Sequence, residues 1–143
     1  MFIGEHTHSI DDKGRVSVPA AFRRKLEGGL VVTRGLDACL WLFTRDEWAK
    51  LAAKLAALPL ANKQSRAFAR LMLAGAWDAQ LDSQGRISLP EYLRQYAGLS
   101  KHVTVAGLYT RLELWDEDAW QTYRAATEEQ TDAIAEAMTE LGL

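Results

Sequence analysis

Cysteine is almost missing from this chain. Cys39 stands alone among 143 residues, so no intrachain disulfide and no thiolate metal cluster can be assembled. No stretch approaches the roughly 18 consecutive apolar residues that a membrane span requires. The opening, MFIGEHTHSIDD, lacks the basic region and apolar core of a secretory signal. These absences lead us to expect a cytoplasmic protein without a membrane partner. Proline occurs three times only, at Pro19, Pro59 and Pro90, positions at which segments can start or stop. No Gly-x-Ser-x-Gly elbow, P-loop or dinucleotide fingerprint is found, which removes the common hydrolase, nucleotidase and dehydrogenase motifs; no enzyme and no cofactor are expected.

Charge of one sign is scarce in the tail. Residues 112–143 carry nine acidic residues and one arginine, a balance of −8, whereas residues 1–111 carry 16 basic and ten acidic residues, a balance of +6. The net −2 thus hides a basic body joined to an acidic tail.

What the chain does have is a repeat. SIDDKGRVSVP, from Ser9 to Pro19, returns as QLDSQGRISLP, from Gln80 to Pro90. At a shift of 71, Asp11 falls on Asp82, Gly14 on Gly85, Arg15 on Arg86 and Arg23 on Arg94. At a shift of 72, Val31 falls on Val103, Gly35 on Gly107, Leu40 on Leu112 and Trp48 on Trp120. We therefore divide the chain into a first module (1–48), a helical linker (49–75), a second module (76–120) and an acidic C-terminal helix (121–143). Each module is too small to bury much apolar surface alone, so the two are expected to share a core.

The same local grammar applies to both modules. HTHSI and AWDAQL read as strands. Asp-x-x-Gly-Arg reads as a loop, because Asp bonds nearby backbone and Gly accepts positive φ. RVSV and RISL alternate as half-buried strands. Pro19 and Pro90 are expected as first residues of short helices that end at Gly28 and Gly98. LVVTRG and HVTVAG read as strands ending in glycine turns, followed by the strands CLWLF and RLELW. Thr44 and Glu47 form a capping-box pattern ahead of a helix that Pro59 ends. A second helix is expected from about Asn62 to Ala74, and an acidic one from Asp116.

The loops carry the chemistry. An arginine fork can grip a phosphate or a guanine edge at two points. Arg15 and Arg86 are accordingly assigned as DNA contacts, with Lys13, Gln84, Arg23 and Arg24 around them. Asp11 and Asp82 are assigned loop-shaping roles, with Gly14 and Gly85, because a carboxylate facing phosphate is repulsive. The competing possibility is that each Asp–Arg pair is only an internal ion pair holding a turn. Lys13 has a neutral counterpart in Gln84, so the first module is expected to grip phosphate harder. Lys63, Arg66 and Arg70 read as a solvated or subunit-facing surface. His6 and His8 would share a strand face, but no third ligand is assured and no metal site is assigned. The five tryptophans read as core or interface residues, and Cys39 as a small buried residue.

The doubled strand, Asp-x-x-Gly-Arg loop, strand and Pro-led helix, with the opening MFIGEHTHSIDDKGR, resembles the MraZ family, bacterial transcription regulators built of two SpoVT-AbrB-type modules. The resemblance implies an α+β fold, a tandem-duplicated swapped-hairpin AbrB-like β-barrel with a pseudo-twofold axis inside one chain and peripheral helices. It implies sequence-selective binding of double-stranded promoter DNA in the nucleoid, repression of a division and cell-wall gene cluster that includes the protein's own gene, and a ring-shaped homo-oligomer. An antitoxin-like module or an oligomeric scaffold, with the loops as protein contacts, is the alternative.

Overall fold

The alternation in RVSV and RISL resolves into two short strands, β2 (Arg15–Ser17) and β6 (Arg86–Ser88), that pair antiparallel with each other. They belong to a computed structural model that describes all of residues 1–143. The remaining strands are β1 (Phe2–Ser9), β3 (Leu30–Arg34), β4 (Leu40–Thr44), β5 (Trp77–Ala79), β7 (His102–Tyr109) and β8 (Leu112–Asp116). They form one antiparallel six-stranded sheet in the order β1-β7-β8-β4-β3-β5. The architecture is α+β. Hydrogen bonding divides the strands between this sheet and the β2–β6 ribbon, and β1 and β5 remain edges; the strands do not pair into one closed barrel.

The modules exchange their first strands. β1 pairs with β7 of the second module, and β5 pairs with β3 of the first. Val16 lies opposite Ile87 at the centre of the ribbon, and Trp41 opposite Glu113 at the centre of the β4–β8 pair. These are the two places where an internal twofold relation crosses the backbone. One core of 17 buried residues results, eight from each half plus Phe2. Val16, Val18, Phe22 and Leu26 meet Ile87, Leu89, Leu93 and Ala97 in it. The single buried carboxylate at that second crossing, Glu113, is satisfied by Arg111 at 2.8 Å and by the Trp115 indole N–H at 3.1 Å.

The strand register corrects the repeat. Val32 pairs with Leu42, and Val105 with Leu114. Leu42 and Leu114 are equivalent, so Val32 corresponds to Val105, a shift of 73 and not 72. Leu30 and Val32 are thus the core counterparts of Val103 and Val105, while Val31 faces the other side of the sheet, where Trp48 and Arg45 lie. A slip of one residue in a strand exchanges its faces. The matched glycines are not structurally equivalent: Gly35 opens the turn after β3, its N–H donating to the Cys39 carbonyl at 2.8 Å, whereas Gly107 makes no turn. Gly107 lies inside β7, where a Cβ would stand 2.6 Å from the Ile3 nitrogen, and Gly35 lies beneath the Trp41 ring. Positive φ falls instead on Asp37, Ala38 and Tyr109.

The helices follow the capping signals with local corrections. Pro19 and Pro90 are N-caps in extended conformation, one residue before the helices α1 (Ala20–Arg23) and α4 (Glu91–Tyr96) begin. Gly98 takes the left-handed cap, but in the first module Gly29, not Gly28, has positive φ. Helix α2 (Arg45–Ala56) starts on Thr44, whose hydroxyl accepts the Glu47 N–H at 3.2 Å. Helix α3 (Lys63–Ala69) starts on Asn62, which accepts the Ser65 N–H at 2.9 Å, and a wider π-type turn carries the chain through Arg70–Ala74. The acidic segment breaks at Gln130 into α5 (Glu117–Glu129) and α6 (Thr131–Thr139). Trp115, Trp120 and Tyr123 pack together and hold α5 to β8, whereas α6 buries no residue. No helix is long and apolar enough to cross a membrane.

Candidate nucleic-acid interface

Each Asp-x-x-Gly-Arg loop is a tight turn written by its own side chains. Gly14 N–H donates to the Asp11 carbonyl at 3.0 Å and Asp11 N–H to the Arg15 carbonyl at 3.1 Å. Gly14 has φ +77°. A turn of this kind followed by a left-handed glycine is the bulged connection that joins β-hairpin strands. The Asp11 carboxylate closes the loop from inside: Oδ1 accepts the N–H groups of Lys13 at 3.0 Å and Arg15 at 2.9 Å, and Oδ2 accepts Arg15 Nε at 2.7 Å.

The second loop repeats this bond for bond. Asp82 Oδ1 accepts the N–H groups of Gln84 and Arg86, both at 2.9 Å, and Oδ2 accepts Arg86 Nε at 2.8 Å. Gly85 has φ +74°. Both aspartates are held below the usual carboxylate range, chiefly by the N–H of their own arginine and then by its guanidinium. They stay ionised, and the loop stays closed, at neutral pH.

The ion pairs do not consume the arginines. Each guanidinium gives its Nε to the aspartate, and neither makes a hydrogen bond to the chain through its two Nη groups. The Arg15 side chain is 31% exposed and that of Arg86 25%. The aspartate therefore fixes one edge of the fork and leaves the other directed at solvent. In the ribbon, Arg15 pairs with Ser88 and Ser17 with Arg86. Paired and alternate positions share a face, so both arginines and both serines lie on one side of the ribbon, opposite the buried Val16 and Ile87. The arginines are diagonal cross-strand neighbours, with backbones on the order of 7–8 Å apart. The strand exchange that builds the shared core is thus what brings together two loops 71 positions apart in sequence.

The other expected residues are distributed unevenly. Lys13 and Gln84 occupy equivalent exposed positions at the two loop tips, and Arg24 is exposed. Arg23 departs from expectation. Expected as a DNA contact beside the loop arginines, it is half-buried, its Nε donates to the Val18 carbonyl at 2.7 Å, and its guanidinium lies against Gly85 of the opposite loop. Arg94 lies in the same way against Gly14. Neither contact is visible in a linear motif, although the match of Arg23 with Arg94 in the repeat was a signal for it. Ser17 and Ser88 were also overlooked; their alternation with Val16 and Ile87 was sufficient to place them beside the arginines.

Elsewhere the chemistry is structural. His6 packs edge-on against Phe22, with ring centroids 5.4 Å apart. Burial, with the charges of His6 and Arg23, lowers the pKa of His8. Among Lys63, Arg66 and Arg70, Arg66 caps the preceding turn through the Leu60 carbonyl at 3.0 Å. Cys39 is fully buried, and desolvation, with Glu113 and Asp37 nearby, pushes its thiol up to about 12. Trp115 is buried, Trp41 is half-covered beneath the Arg111 guanidinium, and Trp77 is exposed.

Comparison with known proteins agrees with the doubling. A family model described as "MraZ protein, putative antitoxin-like" matches twice, over residues 1–71 and 72–141. The chain is 48% identical over its whole length to a protein of Alkaliphilus metalliredigens named transcriptional regulator MraZ, which it also covers completely. Proteins of the same name from Halothermothrix orenii and Acetivibrio thermocellus are each 46% identical, again over the full length of both chains.

Proposed function

The chain belongs to the MraZ family, and on that premise we propose that it is a transcriptional regulator, not an enzyme, that grips double-stranded promoter DNA with its two Asp-x-x-Gly-Arg loops. The observation that carries this reading is the placement of Arg15 and Arg86 on one outward face of the β2–β6 ribbon, each with its Nη edge unengaged. A two-stranded ribbon fits the major groove, which is about 12 Å wide, and an arginine fork can read guanine there in two places. Lys13 adds a phosphate contact that Gln84 lacks, and Arg24 extends the basic surface.

Two loops neutralise few phosphates, and contacts of this kind alone give dissociation constants of roughly 10⁻⁴ to 10⁻⁶ M at physiological salt. Several copies on repeated sites raise the avidity by orders of magnitude. We therefore read the working form as a ring-shaped homo-oligomer on the nucleoid, in the cytoplasm, repressing a division and cell-wall gene cluster that includes its own gene. In this reading modules 1–48 and 76–120, joined by 49–75 and followed by 121–143, fold as a flattened swapped-hairpin barrel, with the ribbon lying over the core of the larger sheet.

The test is a salt-titrated mobility shift on the DNA upstream of the protein's own gene, with scrambled DNA as control. Arg15→Ala and Arg86→Ala should each cost about 1–3 kcal/mol, roughly five- to 150-fold in affinity, with the fold intact. Binding that ignores salt, or variants that bind like the parent, would remove the proposal.

One observation favours a second reading, in which the chain neutralises a partner protein. Helix α6 buries no residue, and Ile134 and Met138 stand one turn apart on it. Purification with a stoichiometric small protein, lost on deleting residues 131–143, would support that role.

A further inference from the structure

We propose that Arg23 and Arg94 are positioning residues that act across the module boundary: Arg94 sets the loop that carries Arg15, and Arg23 sets the loop that carries Arg86. This inference rests on the DNA-binding reading above for its functional consequence, but not for its geometry.

The glycine of each loop marks the contact. A Cβ placed on Gly14 would stand 2.8 Å from Cζ of Arg94 and 2.9 Å from its Nε. A Cβ on Gly85 would stand 2.6 Å from Cζ of Arg23. Real Cβ atoms do not tolerate such distances, so each guanidinium occupies the space that any other residue would fill. Backbone bonds exchange the same way. Leu89 N–H donates to the Gly14 carbonyl, and Val18 N–H to the Gly85 carbonyl, both at 2.9 Å. Arg23 Nε then donates to the Val18 carbonyl at 2.7 Å. One residue, Val18, thus binds the opposite loop through its N–H and the brace through its carbonyl.

The two braces are not equal. Arg23 Nε is satisfied, whereas Arg94 Nε is enclosed with no partner. Arg94 also lines an open cleft of about 490 Å³ with Asp11 and Asp12 of the first loop and Glu91 of its own helix. An enclosed donor without an acceptor is costly, so the brace on the first loop has one hydrogen bond fewer than its counterpart. A planar guanidinium can lie flat on a glycine peptide; a lysine ammonium cannot.

The experiment uses the full-length protein and a promoter fragment, with Arg94→Ala, Arg94→Lys, Arg15→Ala, Arg86→Ala and the double variants. Positioning predicts that Arg94→Ala weakens binding, that adding it to Arg15→Ala costs less than about twofold more, and that with Arg86→Ala the losses multiply. Arg23→Ala should show the reverse pairing. Arg94→Lys should not restore affinity.

Losses that multiply with both loop arginines, with a salt slope lower by about one, would make Arg94 a direct phosphate contact and overturn the proposal. Should Arg94→Ala fail to fold, Arg94→Met keeps the stem. Amide spectra of that variant without DNA should move Lys13 and Arg15 and leave Gln84 and Arg86 in place; the opposite pattern, or no change, also overturns it. If Arg15→Ala and Arg86→Ala bind DNA normally, the DNA reading falls while the amide spectra still decide the brace.

Discussion

Val16 and Ile87 face each other at the centre of the β2–β6 ribbon, both fully buried, directly behind the face that carries Arg15 and Arg86. The contact between modules and the platform for the arginines are therefore one object. Shortening Ile87 to alanine leaves a cavity at the crossing of the two halves. It should cost about 2–5 kcal/mol in urea unfolding, against about 0.5–1.5 for Ile87→Val. A loss below 1 kcal/mol for the alanine variant would mean that the ribbon is not packed on the shared core.

Gly14→Ala and Gly85→Ala combine two penalties. A left-handed conformation costs a residue with a Cβ about 1–2 kcal/mol, and the added carbon meets the arginine of the other module. Thermal melts should show Gly14→Ala destabilised, and Arg94→Ala in the same chain should recover the steric part but not the backbone part. Full recovery, or none, would contradict this division.

Acid should loosen the loops in a defined window. Asp11 and Asp82 have folded-state pKa values below those of the unfolded chain. A depressed carboxylate stabilises the fold fully above its unfolded pKa, and this contribution is lost as pH falls from about 4 through the lower folded values. Unfolding measured from pH 6 downward should show the parent losing more stability below about pH 4 than Asp11→Asn or Asp82→Asn. Parallel curves would show that the carboxylate charge contributes nothing.

Cys39 should be chemically silent in the folded protein. The thiolate is the reactive form, and a buried thiol pushed up to about 12 supplies almost none of it at pH 8. Labelling with a thiol reagent should be slow in buffer and prompt in denaturing urea. Fast labelling of the native protein would place Cys39 at a surface.

The loops were legible because their chemistry is local. Asp-x-x-Gly-Arg specifies its turn through bonds spanning two to four residues, and both copies fold as written. The caps at Thr44 and Asn62 were legible for the same reason. The register of β3 was not. Leu30, Val31 and Val32 are all buried, two in the shared core and one on the opposite side of the sheet, so alternation has no contrast to display. The glycines then offered a false alignment, since Gly35 and Gly107 answer to different neighbours and not to a common turn. Arg23 reads from sequence as a DNA contact because a short basic helix gives no sign that its side chain reaches the other half of the molecule. The exchange of β1 and β5 is likewise a long-range pairing with no local signature.

Two identical subunits related by a dyad must present identical reading heads, and their target is then obliged to be a palindrome. Here the dyad lies inside a single polypeptide, and the halves have already parted: lysine against glutamine at the loop tips, histidine against tryptophan on the exchanged strands. On the DNA-binding reading proposed above, joining the halves frees the recognised sequence from inverted symmetry, so that each copy of the protein can take an asymmetric element and set a direction along the duplex.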